Sequence, residues 1–385
     1  MNIYPDFYKQ FQCIGKNCIS TCCAGWGINF DSETVDFYKS RTDAFGKFVV
    51  ENIEEKNGMV MVIMSETNRC PFLDEEGLCQ IYRNYGEEHT SITCKNFPRR
   101  SRWFNNHVIR SMSLSCEGIL ELLYDRPEMV RIIEEGAISL ETMGDLQMKE
   151  ISWFLISGCQ LLQDTSLPLS VALGTVIYTG MEAGEYYEKH DFEHFEDSVH
   201  RMPEVTEQFL QSREELSAGE LMESGWNLIF GIVDTFCHIV REQDEYHAEK
   251  FLWPSYVFEY SDEGRKQYIR TCLANRDRDL RHQDFMRKLA VACFFSHASA
   301  LGAEDSGSIF LQDMCNYLIL AEVLPLTWEC SESRNAKQYF SKLSMISRRF
   351  EQTKIVQKII WPVIHELFRP DIFSYAVAFM ALFDL

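Results

Sequence analysis

Positive charge is scarce in this chain of 385 residues. It carries 37 Lys and Arg against 58 Asp and Glu, which gives a formal net charge of −21 at pH 7. Proteins that bind a nucleic acid backbone need clustered Lys and Arg, so this balance argues against a nucleic acid partner. Proline and glycine together number 30, which is too few for a collagen-like or low-complexity chain.

Long apolar runs are also missing. The longest uncharged stretches are Thr165–Met181, with 17 residues, and Leu289–Ala303, with 15. A helix that spans a bilayer needs about 20 apolar residues, so the sequence predicts no membrane span. The N-terminus lacks the basic segment and apolar run of a secretory signal. We therefore expect a cytoplasmic protein, in which clustered cysteines bind metal or do chemistry more often than they form disulfides.

Several catalytic motifs are absent from the sequence as well. It contains no Walker motif, no GxGxxG, HExxH or GxSxG pattern, and no CxxC pair. A Cys-x3-Cys-x2-Cys motif, as radical S-adenosylmethionine enzymes carry, is not completed either. Cys18 and Cys22 are followed by Gly25 where its third cysteine would stand. No catalytic residue is therefore identified by motif.

Charge and cysteine divide the chain into two unlike parts. Residues 1–116 hold 13 Lys and Arg against 14 Asp and Glu, together with eight of the 14 cysteines. Residues 117–385 hold 24 basic against 44 acidic residues and the other six cysteines. The sequence therefore predicts a Cys-rich metal or iron–sulfur cluster domain over 1–116 and an acidic α-helical domain over 117–385.

Hydrophobic spacing predicts a mainly α protein. In the front we expect a helix over Asp31–Ser40, strands over Met59–Glu66 and His107–Leu114, and a hairpin over Pro71–Tyr82 with its turn at DEEG. The rear shows helical spacing over 118–135 (split at Pro127), 150–164, 169–188, 204–216, 225–242, 265–272, 283–300, 308–323, 335–368 (kinked at Pro362) and 372–383. The predicted fold class is thus an irregular Cys-rich N-terminal metal-cluster domain with a few short strands, followed by a multi-helix C-terminal region.

The front cysteines have the spacing of a metal site. They are Cys13, Cys18, Cys22, Cys23, Cys70, Cys79, Cys94 and Cys116. Thiolate is the ligand form of cysteine, and four thiolates satisfy one tetrahedral zinc ion or one [4Fe–4S] cluster. Eight sulfurs could therefore serve one cluster plus a zinc, two metal sites, or one site plus redox or structural thiols. Adjacent Cys22 and Cys23 point in different directions on most backbones, which disfavours their binding one centre together.

A basic run follows one of these cysteines. After Cys94 come Lys95, Arg99, Arg100 and Arg102 within eight positions. Cations stabilise a cluster that is anionic through its thiolates, and an arginine can also form two parallel hydrogen bonds to a carboxylate. Arg99 and Arg100 are therefore candidate cofactor-binding residues, with a solvated basic loop as the alternative.

At this point the sequence resembles a known family. Four blocks of the front, FQCIGKNCISTCCAGWGINFD, CPFLDEEGLCQIY, TCKNFPR and SLSCEG, are similar to the flagellin lysine-N-methylase family. The middle blocks also resemble the wider group of zinc- or iron-chelating cysteine-domain proteins. The likeness covers the front third of the chain, whereas the rear resembles the family in composition only.

The resemblance implies an enzyme that uses S-adenosylmethionine to methylate lysine side chains of flagellin, its protein partner. It also implies an iron–sulfur cluster, of the [4Fe–4S] type, held by four of the eight front cysteines; zinc is the alternative metal. Polar and radical methyl transfer both stay open. The alternative hypothesis is a metal-binding or iron–sulfur scaffold protein without methyltransferase activity, and a redox enzyme with another substrate is the remaining reading.

Overall fold

The computed structural model describes residues 1–136, 144–243, 261–298, 317–321, 336–352, 380 and 382, apart from 25, 26, 68, 105, 216, 217 and 277–279. The fold is mainly α-helical with a few short strands near the N-terminus, which confirms the predicted fold class. The strands are β1 (Asn2–Pro5), β2 (Asn29–Phe30), β3 (Ile53–Lys56), β4 (Met59–Val62), β5 (Arg99–Phe104), β6 (His107–Met112) and β7 (Ile132–Glu135). The helices are α1 (Phe7–Gln10), α2 (Ser32–Ser40), α3 (Ala44–Glu51), α4 (Gln80–Tyr85), α5 (Ile92–Asn96), α6 (Glu117–Asp125), α7 (Leu146–Gln163), α8 (Leu169–Glu188), α9 (Phe192–His200), α10 (Met202–Glu215), α11 (Ala218–Gln243), α12 (Asp262–Arg276), α13 (Leu280–Ala298) and α14 (Ala336–Gln352).

The strands form two small sheets, and all of them except β7 belong to residues 1–116. The first has the strand order β5-β6-β1-β7, in which β1 runs parallel to β6 and antiparallel to β7, and β5 pairs antiparallel with β6. The second has the order β2-β4-β3 and is antiparallel throughout. Nine buried residues between Ile28 and Ile81 form a separate apolar core on this second sheet. The front therefore has its own small core beside the cysteines.

The main core unites the first sheet with the helices. Its buried residues run from Ile3 to Leu382, and it includes residues of β6 and of helices α6, α7, α8, α11, α13 and α14. Gly158 on α7 permits one close contact, because a Cβ at that position would lie 2.4 Å from the ring of Phe294 on α13. Since this core contains residues from both sides of position 116, the division of the chain at that position stays a prediction.

A buried ion pair fastens the N-terminus to the end of α6. The Arg126 guanidinium donates two hydrogen bonds of 2.8 Å to the Asp6 carboxylate, and both side chains are 6% exposed. Burial by itself would raise the pKa of Asp6, but the hydrogen bonds and charge of Arg126 outweigh it, so the pKa lies below its ordinary value. The pair holds the chain just before the first cysteines.

The predicted elements of the front are present with different limits. Helix α2 begins after Asp31, whose carboxylate accepts from the Thr34 N–H at 2.8 Å, as the sequence predicts. The predicted strand over 59–66 ends at Val62. The DEEG turn forms, with Gly77 at φ +76°, but the predicted hairpin is wrong beyond one bridge between Leu73 and Cys79, because helix α4 begins directly after Cys79.

The rear helices follow the predicted pattern with two exceptions, of which the first is α9, a helix over Phe192–His200 where none was predicted. Helix α6 ends at Asp125, shortly before Pro127, and the predicted continuation over 128–135 is wrong, since 132–135 is strand β7 paired with β1. The prediction over 308–323 is described only at 317–321, where it is helical. The predicted stretches over 353–368, with its kink at Pro362, and 372–383 lie outside the described residues, except for Met380 and Leu382. No helix in the described ranges is long and apolar enough to cross a bilayer.

Candidate metal centre

Four of the eight front cysteines line one recess. They are Cys23, Cys70, Cys79 and Cys94. The rest of the lining is largely apolar and comprises Ile28, Phe30, Val62, Phe72, Leu73, Ile81, Thr90 and Ser91. The recess therefore sets four cysteines among largely apolar walls; Cys70 is buried, Cys23 and Cys79 are half-buried, and Cys94 is exposed.

Backbone pairing sets two of these cysteines next to each other. The Cys70 N–H donates to the Cys23 carbonyl at 2.9 Å, within a short bridge between Ala24 and Arg69. The hydrogen bond joins two cysteines that lie 47 positions apart in the sequence. It explains how Cys23, from the group of cysteines at 13–23, comes to lie beside Cys70, from the later part of the front.

Helix starts position the other two sulfurs of the recess. Cys79 is the residue before α4, where the N–H groups of Ile81 and Tyr82 point to its sulfur. Cys94 lies in the first turn of α5, and its N–H donates to the Ser91 hydroxyl at 3.0 Å. The first N–H groups of a helix have no partner within the helix, so they are available to a thiolate.

The thiols of the recess differ in acidity. Burial raises the pKa of Cys70 and of Cys94 to about 12, and it raises that of Cys79 as well. By contrast, a hydrogen bond from the Cys22 thiol lowers the pKa of Cys23 to about 7, helped by Thr21 and by nearby arginines. A metal must therefore displace protons from most of these thiols when it binds.

The other four front cysteines do not line this recess. They are Cys13, Cys18, Cys22 and Cys116. Cys116 directly precedes the helix, and burial raises its pKa to about 11 against the effect of the Ile119 and Gly118 N–H groups. The charges of Cys13, Cys18 and Cys22 each interact with that of Cys116, and those of Cys13 and Cys22 also interact with that of Cys94 in the recess. The two sets of four meet at the adjacent Cys22 and Cys23, whose thiols are hydrogen-bonded.

Glu117 holds the cysteine loop from the side of α6. Its side chain belongs to a residue only 3% exposed, and it accepts hydrogen bonds from the backbone N–H of Ile19, at 2.8 Å, and of Ser20. These two residues follow Cys18 directly. The loop between Cys18 and Cys22 is therefore fixed against the first turn of the helix.

Arg348, on the distant helix α14, holds the same loop from the other side. Its guanidinium donates to the backbone carbonyls of Ser20, of Thr21 at 2.9 Å and of Ser115 at 3.2 Å. One turn earlier, the Ser344 hydroxyl contacts the Ser20 hydroxyl at 2.6 Å. A single cation thus joins the residues next to Cys22 and Cys116, and its charge lowers the pKa of Cys23.

The front sulfurs, all of which belong to described residues, are not gathered as closely as the ligands of a single ion. Among the described residues, which include all eight front cysteines, no three of these sulfurs lie within 4.8 Å of one another. A tetrahedral zinc site with Zn–S distances of about 2.3 Å brings its sulfurs to about 3.8 Å from one another. An iron–sulfur cluster holds its thiolates further apart, because its own iron and sulfide atoms lie between them. The arrangement is therefore wider than a zinc tetrahedron.

One compact set of metal-ligating groups occurs elsewhere in the described chain. The ligand atoms of Glu150, Glu196 and His200 lie within 4.8 Å of one another, on helices α7 and α9. The His200 Nε2 lies 2.7 Å from a Glu150 oxygen, while Glu196 and His200 are exposed. This geometry is accounted for by a histidine–carboxylate pair on the helical surface.

Comparison with known proteins agrees with this location of the site. A family model described as "Putative zinc- or iron-chelating domain" matches residues 12–117, the range that contains all eight front cysteines. The flagellar biosynthetic protein FliU of Salmonella muenchen is 30% identical over 141 residues, which are 35% of this chain and 83% of FliU. This chain belongs to the FliU and lysine-N-methylase family.

Two longer members of the family carry the name lysine-N-methylase. They come from Salmonella typhimurium strain LT2 and Salmonella choleraesuis strain SC-B67, and each is 30% identical over 140 residues. The matched region is 35% of this chain and also 35% of each relative, so the chain spans about a third of the length of these two proteins. No solved structure matches the chain.

The predicted cofactor-binding arginines lie at the start of strand β5. The Arg99 guanidinium donates to the Phe11 carbonyl at 3.4 Å and lies over the rings of Tyr8 and Phe11. It is thus next to the chain that leads to Cys13. Arg100 follows on the same strand, which replaces the solvated loop that was the alternative reading of this run. A role for either arginine in binding a cofactor stays a prediction.

Sequence reasoning missed Glu117 and Arg348. Glu117 directly follows Cys116, which is a signal that could have been used, since the first turn of a helix favours a carboxylate. Arg348 lies 232 positions after Cys116 in an ordinary amphipathic helix, so nothing in the sequence marks it. Of the rear cysteines, Cys159, Cys237 and Cys293 are buried in the main core, in line with their reading as core residues.

Proposed function

We propose that this protein is a cytoplasmic protein-lysine N-methyltransferase that uses S-adenosylmethionine and holds a [4Fe–4S] cluster in the recess of Cys23, Cys70, Cys79 and Cys94. The observation that carries the proposal is the likeness to two proteins named lysine-N-methylase, in a family whose matching domain chelates zinc or iron by description. The choice of these four ligands is supported by their common place in the lining of one recess.

The residues of the recess fit such a cluster. Four cysteines line one recess, and its walls are mostly apolar. Hydrogen bonds that favour the thiolate come from the Phe72 N–H to Cys70, the Ile81 and Tyr82 N–H groups to Cys79, and the Ser91 hydroxyl to Cys94. Such bonds to sulfur, together with burial, are the means by which a protein tunes a cluster. When bound, the cluster would supply an electron-transfer group or a Lewis-acidic iron.

Methyl transfer by the polar route makes its own demands on the protein. A lysine amine has an ordinary pKa of about 10.4, and only its neutral form attacks the methyl group of a sulfonium. The enzyme must therefore desolvate the amine or provide a base, and it must align nitrogen, methyl carbon and sulfur. We assign Arg99 and Arg100 to the carboxylate of the methyl donor, because they lie on β5 next to the chain that leads to Cys13.

Flagellin is the proposed protein substrate. The relative of which this chain covers 83% is named for flagellar biosynthesis. Residues 117–385 carry a net charge of −20, and an acidic surface attracts lysine-bearing segments and raises their rate of encounter. The name of this relative and the acidic charge of residues 117–385 support the choice of protein substrate, and neither bears on the chemistry of the metal site.

The test is transfer of labelled methyl groups from S-adenosylmethionine to cognate flagellin by anaerobically purified protein. The proposal expects labelled lysine in flagellin from the wild type. It expects no labelling from Cys70→Ser, and wild-type labelling from Cys293→Ala, which removes a buried thiol of the main core. Absence of transfer by protein with full iron and sulfide would contradict the activity and leave the metal site in place.

That last outcome would favour the second candidate, a metal-binding or iron–sulfur scaffold protein without methyltransferase activity. One observation supports this candidate: the likeness to the lysine-N-methylases covers only 35% of their length. A binding titration with S-adenosylmethionine separates the two, because a scaffold has no need of a methyl donor. If the purified protein contained zinc but neither iron nor sulfide, the iron–sulfur cluster would be excluded for both candidate functions.

A further inference from the structure

Two aromatic rings and a carboxylate, those of Phe37, Tyr85 and Asp43, form an open cage at the surface of the front. The rings of Phe37 and Tyr85 stand nearly at right angles, with centroids 5.4 Å apart and an interplanar angle of 84°. The Asp43 carboxylate lies beside them, since it accepts a hydrogen bond from the Tyr85 hydroxyl. We propose that this cage binds the side chain of a methylated lysine in a protein segment.

The cage already holds a cation from its own chain. The Cζ atom of the Arg41 guanidinium lies 5.5 Å from the ring centroid of Phe37 and 5.3 Å from that of Tyr85. Its Nε donates a hydrogen bond to the Asp43 carboxylate at 2.9 Å. A positive group within about 6 Å of an aromatic ring face is attracted by the ring. The site therefore has the chemistry of a cation site, and Arg41 is its present occupant.

Three helix ends hold the walls of the cage in place. Phe37 lies in the last turn of α2 and stacks on the His89 ring, with centroids 3.7 Å apart. Tyr85 is the last residue of α4. Asp43 caps α3 by accepting from the Gly46 N–H at 2.9 Å. A ligand would therefore meet walls that are already formed, which lowers the entropic cost of binding.

Arg41 is held loosely enough to give way to a ligand. Its side chain is 42% exposed and that of Asp43 is 41% exposed, and ion pairs this exposed contribute little to stability. The Tyr85 hydroxyl and the Gly46 N–H lower the pKa of Asp43 more than Arg41 does, so the carboxylate stays ionised when Arg41 moves away. The carboxylate oxygen that accepts from Arg41 then becomes available to a ligand.

A methylated ammonium group suits this cage better than an unmodified one. The ammonium of unmodified lysine is compact and strongly hydrated, and it loses hydration when it enters an apolar corner. Methyl groups place apolar surface against the ring faces, and aromatic cages are the usual binding sites for methyl-lysine. An amine with one or two methyl groups also keeps an N–H for the Asp43 carboxylate. The expected ligand is therefore a lysine that carries one or two methyl groups.

The cage lies on the same small core as the metal recess. The buried ring of Tyr38 contacts the rings of Tyr85 and of Phe30, with centroids 5.8 Å apart in each pair, and Phe30 lines the recess. The inference takes its ligand from the proposed function, because a lysine methylase forms methylated lysine, but it needs neither the cluster nor a particular protein substrate. Such a cage would hold a segment by a lysine already methylated while other lysines of that segment react.

The test is the affinity of fluorescent peptides for the anaerobically purified full chain, measured by fluorescence anisotropy. The peptides share one sequence and carry either unmodified or dimethylated lysine. We expect the wild type to bind the dimethylated peptide about two- to fivefold more tightly, as cation–π contacts at an exposed site allow. In Phe37→Leu this ratio should fall to about one. Phe192→Leu, which removes an exposed ring on α9, should keep the wild-type ratio.

The decisive variant is Arg41→Gln, because it should strengthen binding. Without Arg41 the ligand has no occupant to displace, so the dimethylated peptide should bind about two- to fivefold more tightly than it binds the wild type. Arg83→Gln is the matched control, since it removes an exposed arginine of α4 that pairs with Asp74, and it should bind as the wild type does. A gain in affinity does not arise from misfolding, so this variant keeps the test valid if Phe37→Leu is unstable.

Two results would overturn the inference. One is equal affinity of the wild type for the two peptides, and the other is an Arg41→Gln variant that binds no more tightly than Arg83→Gln. Binding of dimethylated lysine by a protein that transfers no methyl group would contradict the proposed function and leave the cage standing. Methyl transfer without any preference for the dimethylated peptide would overturn the cage and leave the proposed function standing.

Discussion

Arg348 offers the sharpest test of how the helical part supports the cysteines. The variant Arg348→Met removes a guanidinium that binds the carbonyls of Ser20, Thr21 and Ser115 and keeps a side chain of similar length. A hydrogen bond from a charged group contributes about 1.5–3 kcal/mol. Since Arg348 is only half-buried and water can replace part of this set, we expect the free energy of unfolding to fall by about 2–4 kcal/mol.

The metal should respond more directly than the fold. If loss of the guanidinium lowers the barrier to metal release by only about 1.4 kcal/mol, an iron chelator should extract the metal about tenfold faster from Arg348→Met than from the wild type. Stopped-flow or manual chelation assays under anaerobic conditions measure this rate, and chemical denaturation of the metal-free protein measures the free energy of unfolding.

Two further variants serve as controls for this prediction. Arg348→Lys keeps the positive charge, but an ammonium group cannot bind three carbonyls in one plane as a guanidinium does. The rate at which the chelator removes iron from Arg348→Lys should therefore lie between the rates for Arg348→Met and the wild type. Arg201→Met removes an exposed arginine of the helical part whose ion pairs are at the surface, and such pairs contribute about 0–1 kcal/mol. Wild-type chelation and unfolding in Arg348→Met would refute the idea that α14 supports the cysteine loop.

Three other predictions follow from the described contacts. Asp6→Asn leaves the buried Arg126 without its counter-charge and should lower the free energy of unfolding by about 3–5 kcal/mol, measured by denaturant unfolding. Because the pKa of Asp6 is lowered in the fold, the pair stabilises the protein fully above the ordinary carboxyl pKa of about 3.9, and its contribution is lost as the pH falls below that value. The free energy of unfolding of Asp6→Asn should therefore depend less on pH in this range. Cys94→Ser should bleach absorbance near about 400 nm, whereas Cys293→Ala should keep it, and equal spectra would contradict the ligand set. Arg99→Met should weaken S-adenosylmethionine binding by about 1.5–3 kcal/mol in a calorimetric titration, the contribution of a charged hydrogen bond, and an unchanged affinity would exclude its assigned role.

The sequence predicted best where one local pattern decides the structure. Helix α8 matches its predicted limits of 169–188 because nearly every turn is apolar and Pro168 precedes it. The capping carboxylate of Asp31 and the turn that ends at Gly77 were also readable, since both depend on residues within four positions. The cysteine spacing likewise predicted a metal-binding front.

Long-range contacts decided what the sequence could not show. Strand β7 has helical spacing, but it pairs with β1, which lies about 130 positions earlier. Helix α4 replaces the second arm of the predicted hairpin, because the chain turns into the helix directly after Cys79. The grouping of the cysteines into two sets depends on the bridge between Ala24 and Arg69 and on Arg348, neither of which any spacing rule contains.

The central claim is that Cys23, Cys70, Cys79 and Cys94 bind one iron–sulfur centre. The most direct measurement is the anaerobic iron, sulfide and zinc content of the purified wild type and of Cys70→Ser, each with its absorption spectrum. The account predicts iron and sulfide in equal amounts in the wild type, absorbance near about 400 nm, and a clear loss of all three in the variant. Stoichiometric zinc without sulfide, or unchanged iron in Cys70→Ser, would contradict it.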